Sequence, residues 1–143
     1  MIGIDPGQSG GMVVIDGEGG VLDAVAFATM TEHDIAETLA EWGEWPCGGV
    51  ATIEAVHSMP KQGVASTFKF GKSYGFLLGL LTALKIPYVM VTPRQWQKEL
   101  GCLSGGDKNV TKGAAQRQWP GQKWTHAIAD AALIAEYGRR TRP

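Results

Sequence analysis

Three carboxylates stand where a carboxylate is costly: Asp5, where the apolar run MIGID stops; Glu54, inside VATIEAV; and Asp130, inside THAIADAALIAEYGRR. Asp5 alone reads equally well as a turn residue ahead of Pro6 and Gly7. Glu54 is harder to dismiss, because it interrupts a strand that otherwise looks buried. Asp130 lies on one helical face with His126, Leu133 and Tyr137, since successive residues turn by about 100°. The rest of that helix is Ala and Ile, so it looks buried almost all round. An unpaired carboxylate there costs several kcal/mol and needs a cation or strong hydrogen bonds. His126 by itself reads as readily as a satisfied first-turn residue. If the first and fourth strands are parallel neighbours, Asp5 and Glu54 converge at their carboxyl ends, where such sheets bind ligands. Converging carboxylates repel unless a cation intervenes. An oxygen-rich site suits Mg²⁺, and one imidazole makes Mn²⁺ more tolerable. Two such ions can activate water on one side of a phosphodiester and stabilise the leaving oxygen on the other, which is nuclease chemistry.

The elements that must position these groups are legible from periodicity. MIGID, GMVVID, GVLDAVAFA, VATIEAV and PYVMVT read as five strands bounded by turn signals, with a hairpin at DGEGG. TEHDIAETLAEW reads as an amphipathic helix, with Thr31 and Asp34 at capping-box spacing. ASTFKFGKSYGFLLGLLTALK reads as a long helix, and PRQWQKELG as a short one begun by Thr92 and Pro93. A glycine-rich loop, CLSGGDKN, precedes another helical stretch, and the last helix is expected to start at Thr125 and stop at Gly138. This order predicts a single domain over residues 1–143. Its expected core is a five-stranded mixed sheet, three antiparallel strands plus two parallel, with helices on both faces.

Composition narrows the setting. Residues 1–60 contain ten acids and no Lys or Arg, whereas all thirteen basic residues follow, against four acids. Segregation of this kind suggests a basic surface facing a polyanion, although ordinary solvated charge is the plainer reading. The longest apolar run, YGFLLGLLTAL, falls short of the roughly 20 residues that span a bilayer, so no membrane partner is expected. Cys47 and Cys102 lack metal-ligand spacing and read as buried or incidental thiols in a reducing, cytoplasmic compartment.

IGIDPGQSGG, TIEAVHSMPKQGVASTFKFGKSYG, VTPRQW and HAIADAALIAEYG, in that order, resemble the four signature blocks of the RuvC-type Holliday junction resolvases, especially their short phage and bacterial branch. The resemblance implies a ribonuclease-H-like fold and a homodimer that nicks four-way DNA junctions in pairs with Mg²⁺, Mn²⁺ substituting and two ions per site. It implies that Asp5, Glu54 and Asp130 are metal ligands. His126 falls about where the family usually has a further acid, and because some relatives use histidine in this helix it is kept as a ligand. Lys108 and Lys112 resemble the family's lysines near the site, suited to holding the scissile phosphate. The expected setting is the cytoplasm of a bacterial or phage-infected cell.

Lys61, Lys69 and Lys72, interleaved with Phe68, Phe70 and Tyr74, suit phosphate neutralisation and an aromatic wedge at a branch point. Any one of them reads as readily as core or as solvated charge. His57, where relatives often have an aromatic, Met59 and Arg94 join the expected DNA contacts. Gly71, Gly75 and Gly79 leave a smooth stripe on the long helix, against either its own sheet or, as the resemblance implies, a second subunit. The DPGQSGG turn is expected to leave room for a phosphate. It also resembles the first phosphate loop of actin-like and sugar-kinase-like ATPases, but those enclose nucleotide between two such domains, so no nucleotide cofactor is expected. A structural junction binder and an RNA-directed nuclease on the same fold are the alternatives.

Overall fold

The structure, a computed structural model, describes residues 1–46, 49–56 and 63–142. Strands β1 (Ile2–Asp5), β2 (Gly11–Ile15) and β3 (Val21–Ala26) form an antiparallel meander. Helix α1 (Glu32–Glu44), strand β4 (Ala51–Glu54), helix α2 (Val64–Ala83) and strand β5 (Tyr88–Val91) follow. Three helices close the chain: α3 (Pro93–Glu99), α4 (Lys108–Gln118) and α5 (His126–Thr141). The sheet order is β3-β2-β1-β4-β5, and β4 is parallel to both β1 and β5. The expected mixed sheet is therefore present.

Local signals explain the element ends. The hairpin at DGEGG is held by Asp16, whose Oδ1 accepts from the N–H groups of Glu18 and Gly20 at 2.9 and 2.8 Å. Thr31 and Asp34 form a reciprocal capping box on α1, and Thr92 and Gln95 form another on α3. In β2, Met12 and Val14 face α1 and α2 with Leu39, Trp42 and Leu81, while Val13 and Ile15 face α5. That alternation gives the sheet a core on each face.

Helix α5 lies very close to the sheet. A Cβ on Gly3 of β1 would overlap the Ala131 carbonyl oxygen and the Ala135 nitrogen, and one on Gly138 would overlap the Thr52 hydroxyl of β4. Gly138 therefore does not stop the helix, as its residue type suggests; the helix continues to Thr141, and the glycine serves the close approach of helix to strand. Thr125 occupies the N-cap position without a side-chain capping bond.

The glycines after Asp5 also serve the protein's own packing. Gly7 has φ +111°, and a Cβ there would sit 3.0 Å from the Phe70 ring. The Gly10 N–H donates to the Gly7 carbonyl at 3.0 Å, and a Cβ on Gly10 would overlap the Asp5 carbonyl. This turn reverses the chain into β2, and neither glycine lines the carboxylate pocket described below. Among the described residues no helix is long and apolar enough to cross a membrane.

Candidate active site

The parallel pairing of β1 and β4 decides where two carboxylates go. Ile4 pairs with Ile53, so Asp5 and Glu54 are the next residues on neighbouring strands, both at the carboxyl ends. The close seating of α5 brings Asp130 to the same place. Asp5, Glu54 and Asp130 line one pocket of about 190 Å³ together with Trp96, Thr111 and Lys108. Gln97, Ser104 and Gly106 also line it.

Charge in this pocket is poorly compensated by protein. Burial pushes the Asp5 carboxyl well above the usual carboxylate range, with Glu54 and Asp130 adding repulsion and Lys108 opposing them. Burial also raises Glu54, offset in part by a hydrogen bond from Trp96. Asp130 is raised by burial, with Thr111, Lys108 and His126 pulling it back. Its Oδ1 is buried with no hydrogen-bond partner among the described residues. An orphaned buried acceptor costs about 1–3 kcal/mol, and three neighbouring carboxylates cannot all ionise cheaply unless a cation joins them.

The donor set fits a hard divalent ion. It is all carboxylate oxygen, and the orphaned Asp130 oxygen faces a deficit that a cation would fill. Among the described residues no group of three or more Asp, Glu, His or Cys side chains is arranged to hold a metal ion as it stands. Mg²⁺ would need fewer protein ligands than that, because it keeps much of its water and binds through one or two carboxylates together with substrate phosphates.

The other expected site residues are distributed as follows. Lys108, the first residue of α4, joins the pocket, whereas Lys112, one turn on and half-buried, does not line it. His126, the first residue of α5, is exposed and outside the lining, though near enough to favour the charged form of Asp130. Arg94 lines an adjoining open pocket with Gln97, Leu103 and Gly105. On α2, Phe68 is 75% exposed, and Lys69 lines a groove with Gln8, Ser66 and Phe70. Lys72 faces Glu32 at 3.8 Å, and the half-buried Tyr74 hydroxyl contacts the Met90 sulfur at 3.2 Å. His57, Met59 and Lys61 lie outside the described residues. Gly71, Gly75 and Gly79 are exposed, with open space where each Cβ would be, so this stripe does not pack on the protein's own sheet.

Sequence reasoning passed over three pocket residues. Trp96 is fully buried, and its Nε1–H donates to Glu54 Oε2 at 2.7 Å. Gln97 Oε1 accepts from both the N–H and the hydroxyl of Ser104 at 3.1 Å, pinning the glycine-rich loop. Thr111 is buried beside Asp130. The signals were an indole in a short polar helix just after the fifth strand, and a threonine three residues after Lys108.

The sequence matches no protein-family model, and no curated protein matches it significantly. Solved structures do match. RuvC of Thermus thermophilus superposes with a TM-score of 0.64 at 19% identity, over 96% of this chain and 92% of that chain. Thermus thermophilus RuvC in complex with a Holliday junction substrate superposes with a TM-score of 0.66 at the same identity and coverage. At this identity the likeness establishes the fold, which is ribonuclease-H-like.

Proposed function

We propose that this protein is a divalent-metal-dependent endonuclease that resolves four-way DNA junctions by paired, symmetric nicks, acting as a homodimer. The observation that carries this reading is the meeting of Asp5, Glu54, Asp130 and Lys108 in one pocket at the carboxyl ends of two parallel strands. The fold it sits on is shared with a RuvC solved together with a junction.

Asp5, Glu54 and Asp130 would hold Mg²⁺ or Mn²⁺, with His126 joining from the rim. Two ions bound there supply an activated water and stabilise the leaving oxygen of a phosphodiester. Lys108 neutralises a non-bridging oxygen of the scissile phosphate and helps to orient it, and Lys112 adds positive charge one turn further along α4. Lys61, Lys69, Lys72 and Arg94 neutralise flanking phosphates. Phe68 and Tyr74, with His57 and Met59 after β4, present aromatic and apolar surface to unpaired bases at the branch. Pairing of two chains along Gly71, Gly75 and Gly79 would relate two such pockets by a two-fold axis, as symmetric nicking requires. The natural setting is the cytoplasm of a bacterial or phage-infected cell.

The exposed position of His126 outside the pocket lining favours one second reading, a junction-binding protein with weak catalysis. Incubation with a labelled four-way junction, a matched duplex and an RNA–DNA hybrid, under Mg²⁺, Mn²⁺ or EDTA, separates the possibilities. Paired nicks confined to the junction and dependent on metal are expected. Tight junction binding without nicking would favour the binder, and stronger hybrid cleavage would favour an RNA-directed nuclease.

A further inference from the structure

Tryptophan carries one hydrogen-bond donor, no acceptor and no titratable proton, and a buried indole N–H must find a partner. Trp96 is 1% exposed and spends its donor on a carboxylate of the candidate metal pocket, 2.7 Å from Glu54 Oε2. We infer that Trp96 is a positioning residue that ties down one oxygen of Glu54 and leaves Oε1 as the oxygen presented to the cation. This inference rests on reading the pocket as a metal site.

The surrounding elements make the tie rigid. Glu54 pairs with Val91 at the end of β5, and Thr92 and Pro93 start α3 at the very next residues. The Thr92–Gln95 capping box fixes the first turn of α3, so the register of two strands sets the position of the indole relative to the carboxylate. Gln97, the next residue, holds Ser104 and with it the loop leading to Lys108. One short helix thus braces both the glutamate and the phosphate-facing lysine. An indole can neither replace Glu54 as a ligand nor take up a proton from it, so it restrains the carboxylate without competing for the ion. Partners that orient a metal ligand in this way are worth about 10–100-fold in metal affinity.

The test is Mn²⁺ binding to the DNA-free protein, read by electron paramagnetic resonance of free Mn²⁺, in wild type, Trp96→Phe, Glu54→Gln and the double variant. Trp96→Phe is expected to weaken Mn²⁺ binding about tenfold. In the Glu54→Gln background it should have no further effect, because the group it orients is gone. An equal loss in both backgrounds would mean that Trp96 acts through core packing, and would overturn the inference. Wild type that binds no Mn²⁺ sensitive to Asp5→Asn would overturn both the inference and the metal reading. Should Trp96→Phe fail to fold, indole N–H resonances of the ¹⁵N-labelled wild type decide. The Trp96 signal is expected to move on Mg²⁺ addition and in Glu54→Gln; no movement in either case would overturn the inference.

Discussion

At Asp5 the demands of stability and those of the proposed chemistry oppose each other. Its carboxyl is raised well above the ordinary range by burial, with Glu54 and Asp130 adding repulsion, so without metal its ionised form strains the fold at neutral pH. Asp5→Asn should therefore raise the melting temperature of the metal-free protein by several degrees while removing cleavage, as calorimetry and nicking assays would show. Mg²⁺ should stabilise wild type but not the variant. Lys108 shares the pocket with the three carboxylates and is exposed, so its removal should spare the fold. Lys108→Met is expected to lower the cleavage rate about 10²-fold with little change in melting temperature.

At the scale of elements, the seating of α5 on the sheet is what brings Asp130 to Asp5. Gly3→Ala would push a methyl group into the backbone of α5 at Ala131 and Ala135. The expected cost is about 3 kcal/mol or more, with metal binding lost alongside stability, measurable by denaturant unfolding and Mn²⁺ titration. The far end of the helix is fastened by Glu136, 1% exposed. Its carboxylate accepts from Arg139 Nε and Nη2 at 2.7 and 2.8 Å and from Arg140 Nε at 2.6 Å. Burial pushes Glu136 up, but the hydrogen bonds and charges of the two arginines outweigh it and hold the carboxyl below its ordinary value. A carboxyl depressed on folding contributes stability that is complete above its unfolded value, near pH 4.3, and is lost as the pH falls through the lower folded value. Glu136→Gln should thus lower stability by about 1–3 kcal/mol at pH 7 and flatten the loss of melting temperature below about pH 4.

The same scale shows where sequence reading succeeds and stops. Strand alternation, the Thr31–Asp34 box and the Thr92–Pro93 start are local codes, and each element they mark is present. Asp5 and Glu54 were legible because a charge at the end or inside of an apolar strand is conspicuous. Gly138 was misread because a helix-ending glycine and a close-packing glycine are the same residue, distinguished only by Thr52 across the gap. Trp96 and Thr111 were invisible because their partners lie 42 and 19 residues away, through contacts made only in the folded chain.

For the whole molecule, the proposed dimer places its contact on the outer face of α2. Its glycines face open space, and Val64 and Phe68 are 88% and 75% exposed. In a monomer, Gly75→Ala should stabilise the helix by about 1 kcal/mol. In the proposed dimer it should weaken association, because a methyl group enters the close approach. Sedimentation equilibrium of wild type and variant distinguishes these, and a wild type that remains monomeric at assay concentration would count against paired nicking. The most direct test of the proposed metal-dependent nuclease activity is cleavage of a labelled four-way junction by wild type and Asp5→Asn, each with Mg²⁺ and with EDTA. Symmetric nicks from wild type in Mg²⁺ alone, with Asp5→Asn still binding the junction but leaving it intact, are the predicted result. Undiminished cleavage by Asp5→Asn, or by wild type in EDTA, would contradict it.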